Sequence, residues 1–323
     1  MKFQEIPISA LEGFCIGQTE NAEAGTGLTV IGCKEGMFAG LDVRGGGPAS
    51  RDSQMLNPLM TMQQIHAVVL SGGSAFGLGA ADGVMKYLEE NGIGFDVGVT
   101  KVPLVVQSDI FDLTVADPFT RPDAAMGYAA AKLAFEAPNY KDGNYGAGCG
   151  ATVGKACGME TCMKTGIGSF AIQISELKIG AIVVLNALGD VYDYRTGQKV
   201  AGLLTEDKKG FRDTLEVMAS SIKMIENKFV GNTTIGAILT NAKFNKSQLC
   251  KIAGLAHDGY ARSIKPVHTS ADGDSIYALS TGEISADLDL VGTLGAEVMS
   301  EAILRAVANA KDAYGYPAAG SLK

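Results

Sequence analysis

Apolar and polar positions alternate in two registers along this chain: short runs bounded by glycine, and longer stripes at helical spacing. Near the start, "GLTVIGC" (27–33) and "MFAGLDVRG" (37–45) flank "KEG" and predict a hairpin. "HAVVLSGGS" (66–74) predicts a buried strand running into glycines, followed by a helix with Leu78, Ala81, Met85 and Leu88 on one face. Asn91-Gly92 marks the end of that helix. Residues 94–125, punctuated by Pro103, Pro118 and Pro122, predict loop with short strands, and "AAMGYAAAKLAFEA" predicts a helix after them. Glycine dominates 139–168, after which "SFAIQISEL" and "IGAIVVLNALGDVYD" predict two successive strands. The clearest amphipathic stripe, Phe211, Leu215, Met218, Ile222 and Ile225, predicts a helix over 207–229 that leads into the strand "TTIGAILTN". A helix over about 245–262, a strand over 275–282 and a helix over about 287–311 complete the pattern. Strands interleaved with long helices, with no linker-like segment and no internal repeat, predict a single mixed α/β domain spanning residues 1–323.

Composition narrows the function classes. With 46% apolar and 19% charged residues the chain is globular, and a formal charge of −8 without a basic cluster argues against nucleic acid and anionic membranes as partners. The N-terminus lacks the features of a signal peptide, and no apolar stretch reaches membrane-span length, so a cytoplasmic location is expected. Six cysteines (15, 33, 149, 157, 162 and 250) form no C-x-x-C pair and have no accompanying histidines; they read as core residues, and neither a metal nor a cofactor is expected. In such a setting the sequon Asn232-Thr233-Thr234 reads as coincidence.

Two glycine-rich stretches, "SGGSAFGLGAADG" (71–83) and "GAGCGATVGK" (146–155), invite a phosphate-cradle reading, but neither has dinucleotide or P-loop spacing, and tight turns account for them. The three histidines are scattered and read as structural. A different nucleophile is available if the Asn232–Thr233 bond is cut. Thr233 then gains an α-amine, of pKa about 7.7–8.0 when unperturbed, that can act as base for its own hydroxyl. The cut itself can be intramolecular, through attack of the hydroxyl on the preceding carbonyl and an N→O acyl shift. Asp272 and Asp274, flanking Gly273 before an apolar strand, can orient such a nucleophile or bind a cation, or simply form a turn. Asn186, ending an apolar strand core, can offer its amide to an oxyanion, an effect of about 3–4 kcal/mol.

The segments "AGTGLTV", "HAVVLSGGSAFGLGAADGVM", "GAGCGATVGK", "VVLNALGD", "NTTIGAILTNA" and "DGDSIYALSTG" occur in an order that resembles the P1 family of self-processing peptidases. That family contains the L-aminopeptidase/D-Ala-esterases, the β-peptidyl aminopeptidases and the nylon-oligomer hydrolase. The resemblance implies an αββα sandwich like that of ornithine acetyltransferase, analogous to N-terminal-nucleophile hydrolases. It further implies self-cleavage between Asn232 and Thr233 into 1–232 and 233–323, and a homo-oligomer, a tetramer of such αβ units. By resemblance Thr233 is the nucleophile, Asn186 the oxyanion amide and Lys155 a lysine beside the nucleophile, while Asp272 and Asp274 match paired aspartates of the nylon-oligomer branch. Aminopeptidase members carry Ser and Glu in place of those aspartates, and several members carry Tyr where this chain has Phe111, which brings no hydroxyl to the substrate site. The expected function is an autoprocessed N-terminal-threonine hydrolase of amide bonds in small or peptide-like substrates, with an acyltransferase or an uncleaved small-molecule-binding relative as the alternatives.

Overall fold

The four-residue apolar runs of this chain are explained by burial on both faces. The computed structural model describes residues 3–220 and 232–322. Among them, ten strands form one hydrogen-bonded sheet: β1 (Gln4–Ile6), β2 (Cys15–Asn21), β3 (Thr26–Val43), β4 (Ala49–Arg51), β5 (Gln64–Ser71), β6 (Val105–Asp109), β7 (Ile167–Ile174), β8 (Leu177–Val184), β9 (Ile235–Ala242) and β10 (Ser275–Ile284). Their order is β1-β7-β8-β9-β10-β3-β5-β6-β4, with β2 pairing on β3. Neighbours are antiparallel except β9–β10 and β5–β6.

The sheet turns back on itself along β3, so that its two halves face each other. Val68 and Leu70 of β5 share a core with Ile182 and Val184 of β8, Ala237 and Leu239 of β9, and Tyr277 and Leu279 of β10. The alternate residues point outward to helices. Ala67 and Val69 meet α1 (Ala80–Glu90) and α2 (Ala124–Glu136). Ala181, Val183, Ile238 and Ala278 meet α4 (Lys246–Ser263) and α5 (Leu288–Ala308). The result is the expected αββα sandwich, and the two-sided burial explains why "AIVV" and "AVVL" carry no polar alternation. Helix starts follow local chemistry: Asn245 Oδ1 accepts from Gln248 N while Gln248 Oε1 accepts from Asn245 N, a reciprocal cap at the head of α4.

Two elements differ from the sequence reading. The hairpin over "KEG" is absent, because residues 26–43 are one strand. Its first half pairs with β2 and β5 and its second half with β10, and residues 33–36 form a bulge opposite His66 of β5. Gly36 supplies the positive φ of +81° that the bulge needs, and its carbonyl accepts from the Cys33 thiol at 3.2 Å. An extra turn absorbed within a strand leaves the same glycine signal as a hairpin. The helix predicted over 207–229 begins only at α3 (Thr214–Ser220). Phe211 belongs to a bridge with Leu204, and the carboxylate of Asp213 caps the helix through Glu216 N at 3.0 Å. The rest of that prediction, including Ile222 and Ile225, falls on 221–231, outside the described residues.

The outer layers sit on the sheet at glycines. A Cβ at Gly168 of β7 would lie 2.2 Å from Ala302 O and 2.3 Å from Ala306 N of α5, and one at Gly40 of β3 would lie 2.2 Å from Cys250 N of α4. Gly168→Ala is therefore expected to destabilise the fold by roughly 1–3 kcal/mol through overpacking, read as a lower midpoint in chemical denaturation; an unchanged midpoint would contradict this packing.

Candidate active site

Strand register brings the sequence-predicted residues together. Val184 of β8 pairs with Ile235 of β9, so residues two positions beyond each lie opposite one another: Asn186 and Thr233. The pairing continues there, with Thr233 N–H donating to Asn186 O at 2.7 Å. On the other side Ile235 pairs in parallel with Ser275 of β10, which sets Gly273 beside Thr233. A Cβ at Gly273 would lie 2.7 Å from Thr233 Oγ1, so only glycine admits the hydroxyl. That hydroxyl donates to the carbonyl oxygen of Asn232, the residue before it. Thr233, Asn186, Lys155, Asp272 and Asp274 are all buried.

The glycine-rich segment 146–155 delivers Lys155. Gly154 N and Lys155 N donate to Gly189 O (3.2 Å) and Leu188 O (3.1 Å), which ties the segment to the chain just after Asn186. Lys155 Nζ then reaches Asn186 Oδ1 at 2.8 Å and Asn186 O at 3.5 Å. Thr152 N donates to the same Oδ1 at 3.1 Å, and Asn186 Nδ2 donates to Phe111 O at 3.1 Å. These contacts fix which way the Asn186 amide faces. Burial outweighs the nearby carboxylates and lowers the Lys155 ammonium to about 7. Lys164, equally buried, is also lowered to about 7, but its Nζ is ringed by the carbonyls of Gly148, Ala151 and Thr165, acceptors that suit the charged form. It braces the segment that carries Thr152 and Lys155.

The aspartates approach from the opposite side, in the irregular stretch before β10, so the pair neither continues the strand nor closes a hairpin. Asp274 Oδ1 accepts from Thr234 N at 2.8 Å, and its Oδ2 accepts from His268 N at 3.0 Å and lies 2.9 Å from His268 Nδ1. Asp272 Oδ2 accepts from Thr269 N at 2.7 Å, while its Oδ1 is buried without a hydrogen-bond partner among the described residues. Burial, reinforced by the Asp274 charge, pushes the Asp272 carboxyl up to about 6. Backbone from the run Arg44-Gly45-Gly46-Gly47 supports this stretch: Arg44 N and Gly45 N donate to Asp274 O, Gly46 N to Thr269 O and Gly47 N to Asp272 O.

Sequence reasoning missed Thr152, His268 and the Arg44–Gly47 run. Three consecutive glycines were a readable sign of close backbone approach, whereas His268 carried no spacing signal. Phe111 reaches the site through its carbonyl oxygen, which accepts from Asn186 Nδ2. The "SGGS" turn is no anion cradle: the Asp112 carboxylate already accepts from Gly73 N at 2.7 Å, with Thr26 Oγ1 on its other oxygen at 2.7 Å. A surface cleft lined by Ile6, Phe14, Tyr140, Asp142, Ser169 and Arg305 includes none of the site residues. Among the described residues no group of His, Cys, Asp and Glu is arranged to hold a metal ion, and no helix is long and apolar enough to cross a membrane.

Comparison with known proteins agrees with this fold. The chain resembles the solved structures of a Burkholderia sp. beta-aminopeptidase (TM-score 0.64, 18% identity, 95% of this chain and 88% of that one) and of an L-aminopeptidase D-Ala-esterase/amidase from Ochrobactrum anthropi (TM-score 0.65, 17% identity, 95% and 86%). At these identities the likeness establishes the fold. In sequence it is 35% identical to an uncharacterized aminopeptidase of Mycobacterium leprae over 90% of this chain and 84% of that protein. It is 32% identical to a 6-aminohexanoate-oligomer endohydrolase of Kocuria sp. over 91% and 84%. The model of Peptidase family S58 matches residues 8–319. The chain therefore belongs to peptidase family S58, a family of hydrolytic enzymes.

Proposed function

We propose that this protein is an autoprocessed N-terminal-threonine hydrolase that cleaves amide bonds of small or peptide-like substrates through an acyl-enzyme. The observation that carries the reading is the Thr233 hydroxyl held against the Asn232 carbonyl, with the Lys155 amine on the same Asn186 that receives Thr233 N–H. Relatives named as an aminopeptidase and as an oligomer endohydrolase support amide hydrolysis as the reaction class.

In the uncut chain Thr233 has no α-amine, so self-cleavage needs another base. An amine of pKa 10.5 is neutral in roughly one molecule in three thousand at pH 7, whereas one lowered to about 7 is neutral in about half. Lys155 fills that role. Thr233 Oγ1 attacks the Asn232 carbonyl carbon and gives its proton to Lys155. The C–N bond breaks as the Thr233 nitrogen takes up a proton, leaving an ester on Oγ1 that water hydrolyses. The new α-amine remains at Asn186 O and becomes the base for substrate turnover. The Asn186 amide nitrogen serves the tetrahedral oxygen, and the Asp272 carboxylate, whose charge acts on the Lys155 amine, stabilises the ammonium that forms there.

Denaturing electrophoresis should resolve two fragments of about 24 and about 9 kDa, the 33.5 kDa total divided in proportion to residues 1–232 and 233–323. Thr233→Ala should remain full length, and normal processing of that variant would refute the mechanism. The second test concerns the base. Newly synthesised chain, transferred to buffers from about pH 5.5 to about pH 9, should cleave about tenfold more slowly for each unit below about 7 and at a constant rate above it. Lys155→Arg, which stays charged, should slow cleavage by roughly 10²–10⁴-fold; a flat profile in the wild type together with an unaffected arginine variant would remove Lys155 as base.

A further inference from the structure

His268 is held at a cost. Its backbone has φ +59°, a left-handed conformation uncommon for non-glycine residues. Its Nε2 is buried without a hydrogen-bond partner among the described residues, although a buried imidazole nitrogen is ordinarily satisfied. The ring is packed against the His257 ring (centroids 4.8 Å, nearly perpendicular) and Tyr260 (6.0 Å), both on α4. His257 is in turn fixed by its Nε2 at 3.1 Å from Asp42 O on β3, and burial lowers its pKa to about 4, so it faces His268 as a neutral ring.

Against these costs stands one polar side-chain contact, Nδ1 with Asp274 Oδ2 at 2.9 Å, joined on the same oxygen by the residue's own N–H at 3.0 Å. The other oxygen of Asp274 holds Thr234 N–H at 2.8 Å, one residue from the nucleophile. The left-handed backbone is what lets one residue aim both its N–H and its ring nitrogen at a single carboxylate oxygen. Thr233 has Asn186 on its amide and Gly273 against its hydroxyl, so the direction of Oγ1 depends on where the 233–234 peptide is pinned, and Asp274 pins it.

Resting on the reading of Thr233 as nucleophile, we propose that His268 is a positioning residue: its Nδ1–H and N–H together lock Asp274 in the one orientation that fixes the Thr233–Thr234 backbone for attack. The ring acts as a rigid donor from the His257/Tyr260 wall, and its Nε2 takes no part.

Substitution separates the donor from the ring. Asparagine tolerates the left-handed backbone and puts its side-chain N–H near the Nδ1 position; glycine keeps the backbone and removes the donor; glutamine carries its amide one bond further, toward the Nε2 position. Full-length His268→Gly is expected to self-cleave at least tenfold more slowly than wild type, with His268→Asn restored to within about threefold of wild type. Thermal midpoints measured on Thr233→Ala versions of each chain, which stay uncut, report the fold separately. Should His268→Gly fail to fold, the asparagine and glutamine variants carry the comparison, with asparagine expected to be the faster. Wild-type rates in His268→Gly overturn the inference, as do equally slow asparagine and glutamine variants, which would assign the effect to the ring. Either result leaves the nucleophile reading standing, whereas a wild-type chain that never cleaves removes both.

Discussion

The register of three adjacent strands is the constraint on which the site depends. Fixing Val184 opposite Ile235 and Ile235 beside Ser275 determines, two residues further on, that Asn186, Thr233 and Gly273 lie in one row. A slip of one residue would turn Ile182, Val184, Ala237 and Leu239 out of the inter-sheet core and present the opposite faces to it. The apolar alternation that stabilises the sandwich is thus the same feature that aligns these three residues. This row lies just past the ends of β8 and β9, where the backbone pairing still continues through Thr233 N–H on Asn186 O and Ser275 N–H on Thr234 O.

Around that row, groups of opposite charge preference share a buried space. Burial lowers the Lys155 ammonium and raises the Asp272 carboxyl, which narrows the gap between amine and acid until either proton can move near neutral pH. Lys164 is buried alike but surrounded by carbonyls, and its contacts with them brace the glycine-rich segment. Lys246 repeats that device at the carbonyls of Met55, Asn57 and Met60. The three inward lysines thus differ in their partners: Lys155 reaches the side-chain and backbone oxygens of Asn186, whereas Lys164 and Lys246 are each surrounded by backbone carbonyls.

Much of this was legible in the chain itself. The buried strands around "AVVL", "AIVV" and "TTIGAILTN", and the helices around 124–137, 245–262 and 287–311, follow from periodicity, because both faces of each strand and one stripe of each helix must be covered. The β3 bulge was not legible, since Gly36 marks a change of direction without saying whether the chain reverses. The start of α3 was misplaced because Phe211 fits the helical stripe while serving a bridge to Leu204. Within the site, Thr233, Asn186, Lys155, Asp272 and Asp274 drew attention through residue type and resemblance. His268 did not, because its significance lies in a left-handed backbone and a contact six residues along the chain, neither of which periodicity encodes.

The sheet order also determines what a break at residue 233 would mean for the whole molecule. β9 and β10 come after that point, yet they lie between β8 and β3, which come before it. α4 and α5, also from the later segment, cover the outer face of the same half. Among the described residues, neither portion can form the ten-stranded sheet without the other. The polypeptide is therefore interleaved at its centre, so continuity of the backbone across Asn232–Thr233 contributes little to holding it together. A single peptide bond can be spent there at small mechanical cost, because the ladders on either side already carry the connection.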